Sequence, residues 1–480
     1  MGVCALAWFA YMTASAWSGE LIAGDDAFIS FQYARNLARG FGLVFNTGER
    51  IWGFTSPLQT IILGALTSAG FETVRAGFAT GFLWAALAAV LVYGLAVQLL
   101  PRMLALGLAL YFLLDVSRHG SYTLESNLLV AVQLAFLLAV IHDQGRTANI
   151  LGALSCLVRP DSLLLVVPLL LVNRAARKPK ALAWFVAIGA LWEGFALLYY
   201  GALLPNSLHA KIGLTPFWPF FKNALRYVTE FTFAKQLGFA AEPERWQRIL
   251  VLVLGVLALV NREVRRRLPV AYSLVLYPWL LVLAYSYIGS YSGHNWEFYS
   301  ARYFLGLAAA VGLLSLGQMA AARLRLPRRA ELAAVLLVLA FALVNGVLRT
   351  REQAEGYRIK NTDYWLGPRY ETYRNIANWV NQNVPRGSTF AISEVGTVAY
   401  YTDLYIIDVS GIVTRGYAPG ERMKHDKFLL RFKPAYALLY GPVREVVLSA
   451  SLSYQRIAYF PDTGFNDFSL MMRQNDTSPR

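Results

Sequence analysis

Residues 24–58 read GDDAFISFQYARNLARGFGLVFNTGERIWGFTSPL, a polar and aromatic stretch set between two apolar runs, 3–19 and 57–70. Asp25 and Asp26 stand side by side just past the first run. As an isolated pair they would read as solvated charges at a membrane exit, but their surroundings argue for more. Phe28, Phe31 and Tyr33 make the following segment amphipathic, as in a helix lying in the membrane interface and holding the acids against it. Gly40, Gly42, Asn46, Gly48 and Gly53 supply turns, and the aromatic residues among them indicate a loop folded over a surface.

The apolar runs on either side recur along the chain. Hydrophobic residues make up 56% of the 480 residues and charged ones only 15%, against about 25% charged in an ordinary soluble protein. That excludes a soluble globular enzyme, a single-anchor protein and a disordered chain. Runs near 3–19, 57–70, 77–100, 103–115, 124–141, 148–172, 181–200, 249–261, 268–288, 302–322 and 331–347 predict a polytopic α-helical membrane protein with about eleven transmembrane helices. Several runs are shorter than the ~20 residues a full crossing needs, so some helices are expected to end inside the protein and leave a cavity. The first run has no basic n-region and ends in Ala14-Ser15-Ala16, which resembles a signal-peptide cleavage site. Cleavage would leave the following loop unanchored, so a retained span is expected, with a few basic residues ahead of the present start.

The net charge is +15, so the location of the basic residues decides what they mean. Arg174, Arg177, Lys178 and Lys180 form one cluster, Arg262, Arg265, Arg266 and Arg267 a second, and Arg323, Arg325, Arg328 and Arg329 a third, each between apolar runs. This is the positive-inside pattern, and no nucleic-acid-binding motif accompanies it, so nucleic acid is excluded as a partner. With these clusters in the cytoplasm, residues 20–56, 201–248, 289–301 and everything after 348 face outward across the plasma (inner) membrane. Cys4 and Cys156 both lie in apolar runs and offer neither a disulfide framework nor a zinc spacing. There is no internal repeat.

From about 349 the apolar runs shrink to strand length. Glu371–Asn383 reads as an amphipathic helix with Ile376, Trp379 and Val380 on one face. Strands are predicted over 388–393, 404–409 and 435–440, in a small extracytoplasmic α/β domain. Residues 461–467 and the tail after Arg473 are expected to fray. Two domains follow: a transmembrane domain over 1–348, carrying the outer loop 20–56, and a soluble periplasmic α/β domain over 349–480.

The run Asp25-Asp26-Ala27-Phe28-Ile29-Ser30-Phe31, with Ala34-Arg35-Asn36-Leu37, Phe45-Asn46, Gly48-Glu49-Arg50 and Thr55-Ser56-Pro57-Leu58, resembles the GT-C superfamily of membrane glycosyltransferases. Within it, the sequence looks like the arabinofuranosyltransferases that finish actinobacterial cell-wall arabinan. Further similarity lies in Leu204-Pro205-Asn206-Ser207-Leu208-His209-Ala210-Lys211, in Glu394-Val395-Gly396 and in Ile407-Asp408, so it spans the whole chain. It departs after Gly293, where His294-Asn295-Trp296-Glu297 replaces the more usual Gly-Asp pair. The resemblance implies a GT-C fold and inverting transfer of a sugar, most of all arabinofuranose, from a polyprenyl phosphate to a cell-envelope glycan outside the membrane. Decaprenyl-phosphoryl-arabinofuranose is the favoured donor.

Transfer from a sugar phosphate needs a base for the acceptor hydroxyl and cations for the departing phosphate. By the superfamily pattern Asp25 is the base, and Asp26 orients the acceptor or tunes its neighbour by like-charge repulsion; an exchange of roles between the two acids is the alternative. Arg302, at the outer end of its span, is the best-placed phosphate cation, against a reading as a snorkelling side chain. Lys211 and, behind it, His209 are further phosphate candidates. His294 and Glu297 complete the donor side, but two such residues are a weak metal signal and no metal is assigned. Arg159-Pro160-Asp161 interrupts an apolar run, where each charge costs about 2.5–3.5 kcal/mol at mid-bilayer and the proline about 3 kcal/mol. An ion pair at a kink and a polar lining for the donor cavity explain that expense equally well. Glu125, at the head of the next helix, fits a partner for the helix dipole and also resembles a donor-site acid of the superfamily. Thr55, Ser56 and Asn206 are assigned to the acceptor by resemblance. No glycine-rich phosphate loop is present, so no nucleotide or other cofactor is expected. The main rival is a transporter or flippase of a lipid-linked saccharide, which would usually show paired repeats; an assembly scaffold is the third class.

Overall fold

The computed structural model describes residues 1–17, 21–119, 122–211, 253, 256–288, 298–325, 344, 366–416, 425–440, 453–461 and 467–474. The chain is a polytopic helical membrane protein. Among the described residues, four helices are long and apolar enough to cross a membrane: Thr73–Ala96, Pro179–Tyr200, Leu268–Tyr285 and Tyr299–Arg323. Shorter apolar helices include Pro57–Ser68, Ser126–Ile141 and Pro160–Val172. The expected span 331–347 lies outside the described residues except for residue 344, and the expected span 249–261 is described only at 253 and 256–261.

The chain forms two compact units. One comprises Met1–Ala14, Phe78–Glu193 and Gly213–Gln353; the other comprises Ser15–Gly77, Gly194–Ile212 and Ala354–Arg480. The 20–56 loop therefore shares a unit with the C-terminal residues.

In the first unit, α1 (Gly2–Trp17) contributes its N-terminal part and Trp8 packs edge-on against Phe82. The helix Ser126–Ile141 is apolar nearly all round and correspondingly buried. It runs against Gly145–Val158, and amides close the turns beside this pair: Asn149 donates to the Ala176 carbonyl at 3.0 Å and Asn173 to the Val140 carbonyl at 2.9 Å. The helix beginning at Gly145 stops at Val158. Arg159 is extended (φ −151°, ψ 128°), Pro160–Ser162 is a single 3-10 turn, and the helix resumes over Leu163–Val172. A π-helical turn at Tyr272–Leu276 precedes the helix Tyr277–Ile288.

In the second unit, α2 (Asp25–Ala38) packs along α3 (Pro57–Ser68). The C-terminal residues build a five-stranded sheet in the order β2-β1-β3-β5-β4, with β1 Thr389–Ile392, β2 Tyr405–Asp408, β3 Tyr436–Tyr440, β4 Tyr454–Phe460 and β5 Phe468–Arg473. β2, β1 and β3 are parallel; β5 and β4 add antiparallel. The three parallel strands are short and apolar because both faces are covered. Ala391, Ile407, Ala437, Leu439 and Met471 bury one face with Phe428 and Leu429 of the helix His425–Phe432. On the helix Leu366–Asn383, Tyr373 meets Phe468 and Trp379 meets Phe460, edge to face.

Gly81 marks a close approach in the first unit: a Cβ there would lie 1.7 Å from the Tyr122 carbonyl oxygen. Gly81→Ala is expected to lower stability in detergent by about 1–3 kcal/mol through overpacking. Gly189→Ala, in open space on Pro179–Tyr200, is expected to be neutral or to gain about 0.5–1 kcal/mol from helix propensity. Thermal-shift measurements on both variants check the contrast.

Candidate active site

Asp25 and Asp26 occupy the first turn of α2. Asp25 is half-buried and Asp26 exposed. The Asp25 carboxylate takes both oxygens to the C-terminal sheet region: Thr397 N–H donates to Oδ1 at 2.6 Å and Gly396 N–H to Oδ2 at 3.0 Å. Burial pushes this carboxyl above the ordinary carboxylate range, the Asp26 charge adds to the rise, and the bonds from Thr397 and Gly396 oppose it.

The rest of α2 is built to hold the loop that follows. Phe28, Phe31 and Tyr33, expected in the interface, are all 0% exposed. Their apolar surface is spent within the unit instead: Phe28 packs against Tyr370, Tyr400 and Tyr401, and Tyr33 against Phe45 and Phe54. Asn36 donates to the carbonyls of Val44 and Phe45 at 2.9 and 2.8 Å, and Gln32 to Phe45 at 3.2 Å. The Tyr33 hydroxyl donates to the Ile51 carbonyl at 2.7 Å and accepts from Gly53 N–H at 3.0 Å. Arg35 stacks over Tyr400 at 4.4 Å and donates to its carbonyl.

The loop in turn grips β2. Asn46 exchanges two bonds of 2.9 Å with the backbone of Ile406, as a neighbouring strand would. Glu49 accepts from the Tyr405 hydroxyl at 2.7 Å. Asp408, fully buried at the end of β2, accepts from the backbone N–H groups of Ser410, Ile412 and Val413. The loop it shapes receives Asn206, whose amide donates to the carbonyls of Gly411 and Thr414 at 3.1 and 3.3 Å.

The first unit holds a separate charged cluster. Arg159 Nη1 meets Glu125 Oε1 at 2.9 Å, its Nε and Nη2 meet Asp161 Oδ2 at 3.0 Å, and Tyr285 joins both Arg159 and Asp161. The ion pair at the kink is thus formed. Glu125 precedes the helix Ser126–Ile141 but makes no capping bond; its carboxylate goes to Arg159 instead. An amide–hydroxyl network lies in the same unit: Gln133 donates to Ser162 at 3.3 Å and Tyr277 at 3.1 Å, and accepts from Ser300. Arg302 is 5% exposed, enclosed rather than snorkelling.

The structure joins Glu125, Arg159 and Asp161 by ion pairs in one unit, while Asp25, Asp26, Thr55, Ser56 and Asn206 belong to the other. Ser56 is buried at the start of α3, its hydroxyl without a hydrogen-bond partner among the described residues, and Thr55 is half-buried. Asn206 spends its N–H groups on the protein itself. The side chains of His209 and Lys211, and residues His294 and Glu297, lie outside what is described. No group of three metal-ligating side chains occurs among the described residues. Gly396 and Thr397 went unassigned although the Glu394-Val395-Gly396 motif adjoins Asp25; Tyr285 and Gln133 carry no signal in sequence.

Solved structures share this architecture. A crystal structure of ArnT from Cupriavidus metallidurans in the apo state superposes with a TM-score of 0.61 at 13% identity, over 98% of each chain. ArnT from the same organism bound to undecaprenyl phosphate gives 0.54 at 14%, over 100% of this chain and 98% of that one. The fold is ArnT-like. Residues 361–476 match a family described as a domain of unknown function, DUF8728. No curated protein matches the chain.

Two outcomes follow from the charges. Arg159→Leu leaves two acids without their cation, which is expected to cost about 3–5 kcal/mol; adding Glu125→Gln and Asp161→Asn should recover most of the loss, as thermal shift in detergent would show. Burial raises the Asp408 carboxyl to about 6 from 3.8. Because the folded state holds that proton more tightly, the group's contribution is full below pH 4 and is lost as pH rises through 6, by about 3 kcal/mol. The stability gap between wild type and Asp408→Asn is therefore expected to narrow from pH 4 to pH 7 in chemical-denaturation or melting series.

Proposed function

We propose that this chain is an inner-membrane glycosyltransferase that moves a sugar from a polyprenyl phosphate to a glycan acceptor on the outer side of the membrane. The observation that carries the reading is an acidic pair fixed at the start of a buried helix within a GT-C fold, with one acid held by backbone donors and the other exposed. In the reaction the acceptor hydroxyl oxygen attacks the anomeric carbon, the bond from that carbon to the phosphate oxygen breaks, and the configuration inverts. The hydroxyl proton passes to an aspartate, Asp25 by the superfamily pattern, and the polyprenyl phosphate leaves with the electron pair.

The leaving phosphate needs cationic help. Arg302 is assigned to it ahead of Arg159, whose guanidinium already meets two carboxylates. Lys211, His209, His294 and Glu297 remain donor-side candidates, and Thr55, Ser56 and Asn206 acceptor-side ones. Arabinofuranose is the proposed sugar, decaprenyl-phosphoryl-arabinofuranose the proposed donor and a cell-envelope arabinan the proposed acceptor, all on the sequence resemblance. The ArnT structure bound to undecaprenyl phosphate supports a polyprenyl-phosphate partner.

Purified protein is expected to transfer arabinofuranose from a synthetic polyprenyl-phosphoryl donor to a short oligosaccharide, and Asp25→Asn to fold but to lose about 10²–10⁴-fold in rate. Equal transfer by both removes Asp25 as base. Transfer by neither, repeated with a panel of lipid-linked sugars and followed by a vesicle translocation assay, would favour a transporter.

A further inference from the structure

We propose that the Gly396–Thr397 turn of the C-terminal domain is a positioning element for the acidic pair, so that this domain completes the catalytic centre as well as facing the acceptor. The proposal rests on the transferase reading above. Three observations carry it. Both carboxylate oxygens of Asp25 are engaged by consecutive backbone N–H groups from this one turn, at 2.6 and 3.0 Å, which fixes the plane of the carboxylate as well as its position. The approach is close enough to forbid a side chain: a Cβ at Gly396 would fall 1.8 Å from the Asp25 carbonyl oxygen and 2.8 Å from its Cγ. The turn is itself braced, because Glu394, two residues before Gly396, accepts from Arg369 and from the Tyr373 hydroxyl on the helix Leu366–Asn383.

Each carboxylate oxygen has two lone-pair sites, so a backbone donor on each still leaves one free to take a proton from an acceptor hydroxyl. A base held this way loses little orientational freedom on reaching the transition state. The donors also favour its charged form, against burial and the neighbouring Asp26 charge, which favour the neutral one. Among the described residues, the titratable and charged groups around Asp25 are Asp26 on its own helix, Tyr373 with Arg369 on the helix Leu366–Asn383, and Glu394 on the turn; the Thr397 hydroxyl beside it also favours the charged form. Weakening the turn's bonds therefore raises the pH at which the base loses its charge. A brace that served folding alone would move the Asp25 titration without moving kcat or the acid limb of the rate profile.

The test compares full-length wild type with Gly396→Ala and with the gentler Thr397→Val, which keeps the N–H and deletes the hydroxyl, Thr397→Ser serving as the conservative restoration. Thermal shift establishes that each is folded. Transfer from the polyprenyl-phosphoryl donor is measured against pH, and the Asp25 carboxyl is titrated by infrared difference against Asp25→Asn, which needs no turnover. Gly396→Ala is expected to lower kcat about 10²-fold with KM nearly unchanged, and to move both the acid limb of the rate profile and the infrared midpoint up by about one pH unit. Thr397→Val should shift both in the same direction by less, and Thr397→Ser should restore them. Wild-type transfer together with folded variants of unchanged kcat and an unmoved acid limb, whatever the Asp25 titration does, would overturn the positioning role and leave the transferase standing. Absence of transfer by wild type from any lipid-linked sugar would overturn the transferase reading, and the positioning role with it.

Discussion

A buried stretch of chain without regular secondary structure must find a partner for every backbone N–H and C=O it takes out of water, and in residues 39–56 that demand organises the unit around it. Leu43–Asn46 and Ile51–Phe54 are buried yet form neither helix nor strand. Many of their backbone partners are side chains, Gln32, Tyr33 and Asn36 from the helix before them and Tyr200 at the Leu43 carbonyl, while Asn206 N–H meets the Trp52 carbonyl and Asn46 reaches from the loop itself to the backbone of β2. These side chains only reach if α2 is held in one place. Once it is, its first turn has one orientation, and the acidic pair is delivered to the Gly396–Thr397 turn.

A different constraint governs the other unit. An arginine among apolar helices is tolerated only when its charge is met and its donors are used. Arg159 sits where the helix has already been broken by Pro160, so the extended backbone lets it reach Glu125 on one side and Asp161 on the other. One cation facing two acids has its donors engaged, so Arg159 serves the break in the helix. The amide–hydroxyl network of Gln133, Ser162, Tyr277 and Ser300 shows the same economy: each buried polar group is paid for by another.

Many of the motif residues that carried the family resemblance turn out to be scaffolding. Arg35, Asn36, Asn46, Glu49 and Asn206 hold the loop, and Asp408 shapes the turn that receives Asn206. Such residues constrain a fold as tightly as catalytic ones constrain chemistry, because a buried carbonyl without its donor costs about as much as a lost hydrogen bond. Asp25 is held in the same way by the Gly396 and Thr397 N–H groups, and it is also the base of the proposed reaction.

The sequence by itself determined the membrane class, the runs that form the described apolar helices, the break at Arg159-Pro160-Asp161, the positions of β1, β2 and β3 and the acidic pair, since composition, period and local breakers act within a few residues of chain; the parallel order of those strands came only from the fold. It also offered the Arg159–Asp161 ion pair at the break, though not the part Glu125 takes in it. β4 and β5 were not legible, because β4 lies at the sheet edge with largely exposed residues and shows no clean alternation. Nor was the burial of Phe28, Phe31 and Tyr33 within the protein, as an apolar face looks the same in sequence whether it meets lipid or aromatic rings. Only the tertiary structure decided that residues 396 and 397 hold Asp25. Backbone N–H groups are common to every residue except proline, so nothing in the letters reveals which of them, some 370 positions away, a folded chain will aim at a carboxylate.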